Sequence, residues 1–361
     1  MTDPSHPSPG GPLASMPKAA QWLFLLAGSV LLAVMLELAQ LPAALLIGPM
    51  LAAIAAGSYG ANIRIWRPAF GISQALVGVL VAGSLSPEIF SSFLARWPLF
   101  LTAVLATVAA SSFLGYLISR WKILPGTTAV WGSSPGAATA MVLMADAFGA
   151  DARLVAFMQY LRVIFVTVAA AMIARLWVDT SGVSVPTVWF PPIETEAFAA
   201  TILVALAGGG LGRLLRLPAP YFLGALVLAA GLHLGGLADF QIPEWLRAIS
   251  YTLIGWTIGL NFNRAILRHA TRALPQVVLS ILVLMAFCGG LAFLLSAEIG
   301  VDPLTAYLAT SPGGMDSVAI IAAASDNVDL SFVMALQTAR FLFVLVLGPP
   351  IARLIARLVK D

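Results

Sequence analysis

The stretch Gly132-Ser133-Ser134-Pro135-Gly136-Ala137-Ala138-Thr139 decides how this chain is read, because it returns as Ala309-Thr310-Ser311-Pro312-Gly313-Gly314-Met315-Asp316. Each copy sets Ser-Pro-Gly in the middle of an apolar segment. Each is followed by an apolar segment carrying Gln-x-x-Arg, as Gln159/Arg162 and Gln337/Arg340. Proline removes a backbone donor and clashes with the preceding turn, so a helix cannot run through either copy undisturbed. Unpaired backbone groups at membrane depth survive only where protein buries them or a watery cavity adjoins them. A matched pair of such interruptions is the sequence signature of a transport site.

Composition makes the membrane setting firm. Of 361 residues, 60% are hydrophobic and only 10% charged, with a mean hydropathy of +0.96. Soluble domains carry about 25% charged residues. The net charge of +3 is small and its basic residues sit in short connections, a pattern that reports topology and not nucleic-acid binding. Cys288 is the sole cysteine, which excludes an intrachain disulfide and a thiolate cluster. His6, His233 and His269 are too scattered for the nitrogen-rich copper or iron site of a membrane oxygenase. The expectation is therefore a chain with no cofactor and no enzymatic activity. Residues 1–17 hold five prolines and read as a disordered cytoplasmic tail, without the basic start and apolar core of a signal peptide.

Apolar segments fall at about 20–40, 42–57, 70–85, 98–119, 125–147 and 154–177, then at about 197–212, 218–235, 249–261, 275–297, 303–325 and 331–352. The second six repeat the first at an offset of about 177 residues. Gly48 answers to Gly224, Gly78 to Gly255, Pro98 to Pro275 and Ser134-Pro135-Gly136 to Ser311-Pro312-Gly313. After a slip of one, Asp151 answers to Asp329, Gln159/Arg162 to Gln337/Arg340 and Arg175 to Arg353. The chain divides into a first repeat, 18–182, broken within 125–147, and a second, 197–361, broken within 303–325. A Pro-rich linker at 183–196 joins them.

Charge sets how often each repeat crosses the bilayer. Arg64/Arg67, Arg120/Lys122, Arg213/Arg216, Arg264/Arg268/Arg272 and Arg353/Arg357/Lys360 should all be cytoplasmic. Three apolar segments separate Arg120/Lys122 from Arg213/Arg216, and three more separate Arg272 from Arg353. Equal sidedness needs an even number of crossings, so one segment of each trio does not span. The Ser-Pro-Gly segment is the natural choice. Its two arms of roughly ten residues reach ~15 Å each, half of a ~30 Å hydrocarbon core. Each repeat then holds five spans and one re-entrant hairpin. Five is odd, so the second repeat is inverted, both termini are cytoplasmic and the 183–196 linker is extracytoplasmic. The predicted fold is an all-α, multi-pass protein of the bacterial cytoplasmic membrane with two inverted repeats.

The candidate site gathers at the breaks. Ser134 and Ser311 are expected to cap the returning arms, with Gly136, Gly313 and Gly314 allowing close approach of a ligand and the positive helix ends favouring an anion. Thr139 and Thr310 add hydroxyls. Arg162 and Arg340 lie ~12–14 Å into their spans, and intramembrane arginines face a cavity or a partner. Two readings stand side by side for them: with Gln337 they bind an anionic solute, or they cap the carbonyls that end each hairpin's first arm. Asp316, the acid of the second copy, is the candidate for coupling to H⁺ or Na⁺; the first copy has no acid there. Asp146, Asp151, Asp326 and Asp329 read as hairpin-exit or loop residues. Gly231-x-x-x-Gly235 and Gly255-x-x-x-Gly259 suit internal helix packing and leave a homodimer open.

Ser-Pro-Gly-Gly-Met-Asp at 311–316, Leu336-Gln337-x-x-Arg340 and Gly348-Pro349-Pro350-x-x-Arg353 together resemble the AbrB-type family of bacterial membrane proteins. So do Pro135-Gly136 and Gly149-Ala150-Asp151-x-Arg153-Leu154-Val155. The resemblance covers about residues 20–360 and implies a duplicated hydrophobic region, unrelated to the small DNA-binding regulator of the same name. It further implies a transporter distantly similar to cation:proton antiporters and bile-acid or citrate carriers. Members of the family are also labelled ammonia monooxygenases or regulators of gene expression. Ala137 departs from the family's second glycine. The expected function is secondary active transport of a small anionic or zwitterionic solute with H⁺ or Na⁺, the partners being solute, ion and lipid bilayer and not nucleic acid. The alternative is a non-catalytic membrane protein that affects gene expression indirectly or through a partner.

Overall fold

A computed structural model describes residues 12–39, 43–83, 85, 97–125, 127–136, 138–177, 188–217, 219–313, 318 and 328–360. These residues form helices and connections, with no strand among them. The first half supplies α1 (Lys18–Leu38), α2 (Ala44–Ser58), α3 (Arg67–Gly83), α4 (Trp97–Arg120), α5 (Thr128–Ser133), α6 (Ala138–Ala147) and α7 (Ala152–Trp177). The second supplies α8 (Thr195–Leu214), α9 (Pro220–Leu234), α10 (Glu244–Gly259), α11 (Arg264–Ile299), α12 (Pro303–Thr310) and α13 (Leu330–Lys360).

Six of these are long and apolar enough to cross a bilayer: α1, α4, α7, α8, α11 and α13. They fall at the same three places in each half. Helices α2 and α9 have 15 residues each and α3 has 17. At 1.5 Å per residue they reach about 22–26 Å, short of a ~30 Å core unless their flanks contribute.

Helix neighbours define two modules, each built from both halves. In one, α1 packs on α2, α2 on α10, α10 on α3, and α3 on α9 and α8. In the other, α4 packs on α5, α11 and α13, while α7 packs on α5, α6, α11 and α12. The pairings correspond across the halves: α1–α2 to α8–α9, α2–α10 to α9–α3, and α4–α13 to α11–α7. Among the described residues, α7 and α10 make the principal backbone approach between the modules.

The repeated glycines explain much of this packing. A Cβ on Gly48 would stand 2.5 Å from the Ala33 nitrogen on α1, and one on Gly224 would stand 2.1 Å from the Gly208 oxygen on α8. On Gly78 it would meet the Phe222 oxygen of α9 at 2.5 Å, and on Gly255 the Leu46 oxygen of α2 at 2.8 Å. Without the Cβ, backbones approach closely and dispersion contacts replace the hydrophobic drive that lipid does not supply. Gly255 and Gly259 are thus spent on the α2–α10 contact, as internal packing requires.

One helix outruns its predicted segment. The apolar segment at 275–297 lies inside α11, which starts at Arg264 and carries Pro275 in its interior. Apolar content ends where the helix leaves hydrocarbon, but its hydrogen bonding does not, so Arg264, Arg268 and Arg272 are helical and not loop residues. Asn263 caps this start, its side chain accepting from the Ile266 N–H at 2.9 Å.

Candidate functional site

Both breaks fall where Ser-Pro-Gly stands. Helix α5 ends at Ser133 and α6 begins at Ala138; helix α12 ends at Thr310. Ending a helix at membrane depth leaves its last carbonyls without partners. The following spans supply them. Gln159 Nε2 donates to the Trp131 and Ser134 oxygens at 2.8 and 2.9 Å. Arg162 Nη1 donates to the Ser133 and Ser134 oxygens at 3.2 and 2.9 Å, and Nη2 reaches the Gly136 oxygen at 3.5 Å. Arg162 Nη2 also donates to Gln159 Oε1 at 2.6 Å, so the pair acts as one clamp.

The second half repeats the clamp almost atom for atom. Gln337 Nε2 donates to the Leu308 and Ser311 oxygens at 2.8 and 3.1 Å. Arg340 Nη1 donates to the Thr310 and Ser311 oxygens at 3.2 and 2.8 Å, and Nη2 donates to Gln337 Oε1. All four side chains are buried, with Arg162 and Arg340 only 2% and 4% exposed. The carbonyl-capping reading of the arginines is the one their hydrogen bonds express. Their Nη groups are committed to backbone oxygens and to the paired glutamines.

The two clamps differ in one donor. Arg340 Nε crosses to the first break and donates to the Pro135 oxygen at 2.9 Å. Arg162 Nε, in contrast, is buried without a partner among the described residues. The Arg340 bond brings the two interruptions to one place. Gly313 supports the same crossing, because a Cβ there would stand 2.9 Å from Val166 Cγ1 on α7.

The serine hydroxyls donate backwards, and the residues they are expected to cap lie partly outside the described ones, at 137 and 314–317. Ser134 Oγ donates back to the Val130 oxygen at 2.8 Å and Ser311 Oγ back to the Leu308 oxygen at 3.1 Å. Each hydroxyl closes the arm before it, where the helix end carries unpaired carbonyls. Thr310 Oγ1 donates to the Cys288 and Ala306 oxygens at 3.1 and 2.9 Å. Thr139 Oγ1 lies 3.2 Å from the Tyr160 hydroxyl. Gly314 and Asp316 lie outside the described residues, as does Asp326.

Two further hydroxyls tie the first arm of each broken segment to the start of the helix that follows. The Asp151 N–H donates to Thr128 Oγ1 and the Asp329 N–H to Thr305 Oγ1, both at 3.2 Å. The two aspartates are helix caps and not plain loop residues: Asp151 Oδ1 accepts from the Arg153 N–H at 3.1 Å and Asp329 Oδ1 from the Phe332 N–H at 2.9 Å. The threonine and aspartate pairs sit 23 and 24 residues apart, and only their recurrence in both halves could have drawn attention to them.

A cavity of about 310 Å³ opens on the seam between the modules. Phe70, Thr257 and Asn261 line it from one side, and Asp146, Asp151 and Arg153 from the other. Arg153 Nε donates to Asp151 Oδ1 at 2.8 Å, and its Nη1 crosses the seam to the Asn261 oxygen at 3.0 Å. Burial alone would raise the Asp151 carboxyl, but the bonds and charge of Arg153 and the helix N–H groups hold it below the ordinary range.

All-helical packing, six long apolar helices and polar side chains closing broken helices in the interior define a multi-pass α-helical membrane protein. The family model described as "Transition state regulatory protein AbrB" matches residues 45–356, and the chain belongs to that family. It is similar to a protein of Escherichia coli (strain K12) named "Putative regulator AbrB", at 46% identity over 93% of this chain and 97% of that one. It is also similar to "Uncharacterized protein YhjN" of Bacillus subtilis (strain 168), at 24% identity over 80% of this chain and 78% of that one.

Proposed function

We propose that this protein is a secondary active transporter of a small anionic or zwitterionic solute, coupled to H⁺ or Na⁺. In this reading ten spans and two re-entrant hairpins form two inverted repeats in a bacterial cytoplasmic membrane, with both termini cytoplasmic. The architecture is of the cation:proton antiporter and bile-acid carrier kind, and it carries no catalytic activity. The observation that carries the proposal is the duplicated glutamine–arginine clamp, with Arg340 joining the two breaks through Pro135. Irregular backbone held in place at membrane depth is costly to build unless a passing solute uses it.

Three further observations support the reading. Two guanidinium charges lie at the crossing, and neither is in an ion pair among the described residues, which favours an anion there. The interleaved modules meet along a seam with a polar cavity, the place where one module would move against the other. Asp146 lines that cavity and adds a second carboxyl to the coupling role given to Asp316.

The test is electrophysiology on proteoliposomes challenged with a panel of mono- and dicarboxylates and amino acids, with and without Na⁺ and a pH gradient. A transient current or uptake for at least one solute, lost in Arg340→Ala, supports the proposal. Anion uptake that survives Arg162→Ala and Arg340→Ala unchanged removes the anion assignment.

A second reading takes its support from the name of the Escherichia coli relative, a regulator. Regulation would then follow from solute flux. A variant that inserts and folds but transports nothing should lose the regulatory phenotype; one that keeps the phenotype would favour action through a partner.

A further inference from the structure

The unmatched Arg162 Nε has company. A small cavity behind the first break is lined by Leu114 of α4, Gly132 and Ser133 of α5, Met158 and Arg162 of α7, and Ser280 of α11. It offers about 10 Å³ to the centre of a water-sized occupant, roughly the room that one such occupant needs. Two of the residues lining it carry a polar atom, Arg162 Nε and Ser133 Oγ, that is buried with no hydrogen-bond partner among the described residues. Ser280 Oγ lies on the third side and is satisfied within its helix, donating to the Val277 oxygen at 2.8 Å.

We propose that this cavity is a site for a single monatomic anion of the chloride class, held by Arg162 Nε–H and the Ser133 hydroxyl with Ser280 beside them. Carboxylates and phosphates, with three or more heavy atoms, do not fit. A water could accept the two donors but would leave the guanidinium charge unbalanced. A buried charge without a counter-charge costs several kcal/mol, and Arg162 is in no ion pair among the described residues.

The second half shows why the site occurs once. There Arg340 Nε is satisfied by Pro135, the residue answering to Ser133 is Thr310, whose hydroxyl already bonds Cys288 and Ala306, and the residue answering to Ser280 is Ala103. With a halide on Arg162, the charge that favours an anionic solute at the crossing is that of Arg340. A halide there would fix the first break while the solute uses the crossing on the other side.

Thermal unfolding of the purified full chain in sodium chloride, bromide or gluconate at matched ionic strength tests this. Chloride and bromide should raise the melting temperature saturably, and gluconate should not. In Ser133→Ala, which keeps the guanidinium and so avoids the folding risk of an arginine variant, the half-saturating halide concentration should rise about tenfold. Ser280→Ala, whose hydroxyl is already given to Val277, should respond as the wild type. Gly289→Ala, on α11 with open space around it, should respond as the wild type. Crystals grown in bromide should show an anomalous peak against Arg162 Nε. Equal melting temperatures in chloride and gluconate, wild-type response in Ser133→Ala, or no bromide at Arg162 would each overturn the site and leave a water there.

Discussion

Arg340 donates through Nε to the Pro135 oxygen at 2.9 Å across 205 residues of sequence, while its Nη1 holds Thr310 and Ser311. One side chain thus closes its own half's broken helix and fastens it to the other half's. Arg162 has the same local partners and lacks the cross-link. Arg340→Ala should therefore lower the melting temperature more than Arg162→Ala. The third carbonyl bond of Arg340, to Pro135 at 2.9 Å, joins the two halves, whereas that of Arg162, to Gly136, is long at 3.5 Å and stays within one half. A buried carbonyl left unpaired costs about 1–3 kcal/mol. Equal losses would mean the cross-link contributes nothing.

The glutamines make a sharper test of the clamp. Gln337→Glu preserves an oxygen for Arg340 and would look like a gain of an ion pair. It also removes both N–H donors and turns a carboxylate toward the Leu308 and Ser311 oxygens. The expected result is destabilisation by about 2–4 kcal/mol in denaturant unfolding. A stabilised variant would contradict the bonding described above.

Glycine substitutions separate close approach from mere helix propensity. Gly224→Ala sets a methyl 2.1 Å from the Gly208 oxygen and should cost about 1–3 kcal/mol by overpacking. Gly210→Ala, with nothing within 4 Å, should be neutral or stabilising by up to about 1 kcal/mol. Thermal unfolding of the two variants side by side checks the difference.

Asp151 gives the fold an acid limb. Its carboxyl is held below the ordinary value of 3.8 by Arg153 and the helix N–H groups, against the opposing effect of burial. Its contribution is complete above that ordinary value and is lost as the pH falls through the lowered one. Asp151→Asn should cost about 1 kcal/mol at neutral pH, because the pair is partly exposed, and should flatten the acid limb of a stability-versus-pH curve.

The sequence made some of this legible and hid the rest for physical reasons. Proline and the doubled Ser-Pro-Gly located both breaks, because a missing donor acts within one turn. The Gln-x-x-Arg spacing paired the right side chains, because three residues bring them to one helix face. Hydroxyl direction was not legible: Ser134 can bond forward or back, and in the fold its hydroxyl donates back to the Val130 oxygen. Nor was the seam cavity, where Asp146 and Arg153 meet Asn261 from over a hundred residues away. The interleaving of halves into two modules is a tertiary fact that the apolar segments alone do not encode.

The inverted arrangement is the claim on which the transport reading stands, and Ala150 and Val328 test it most directly because they occupy corresponding positions just before Asp151 and Asp329. In a background with Cys288 replaced, Ala150→Cys and Val328→Cys are labelled with a membrane-impermeant maleimide in intact cells and in inside-out vesicles. The account predicts that Ala150→Cys labels only from the cytoplasmic face and Val328→Cys only from outside. Labelling of both from the same face would contradict it.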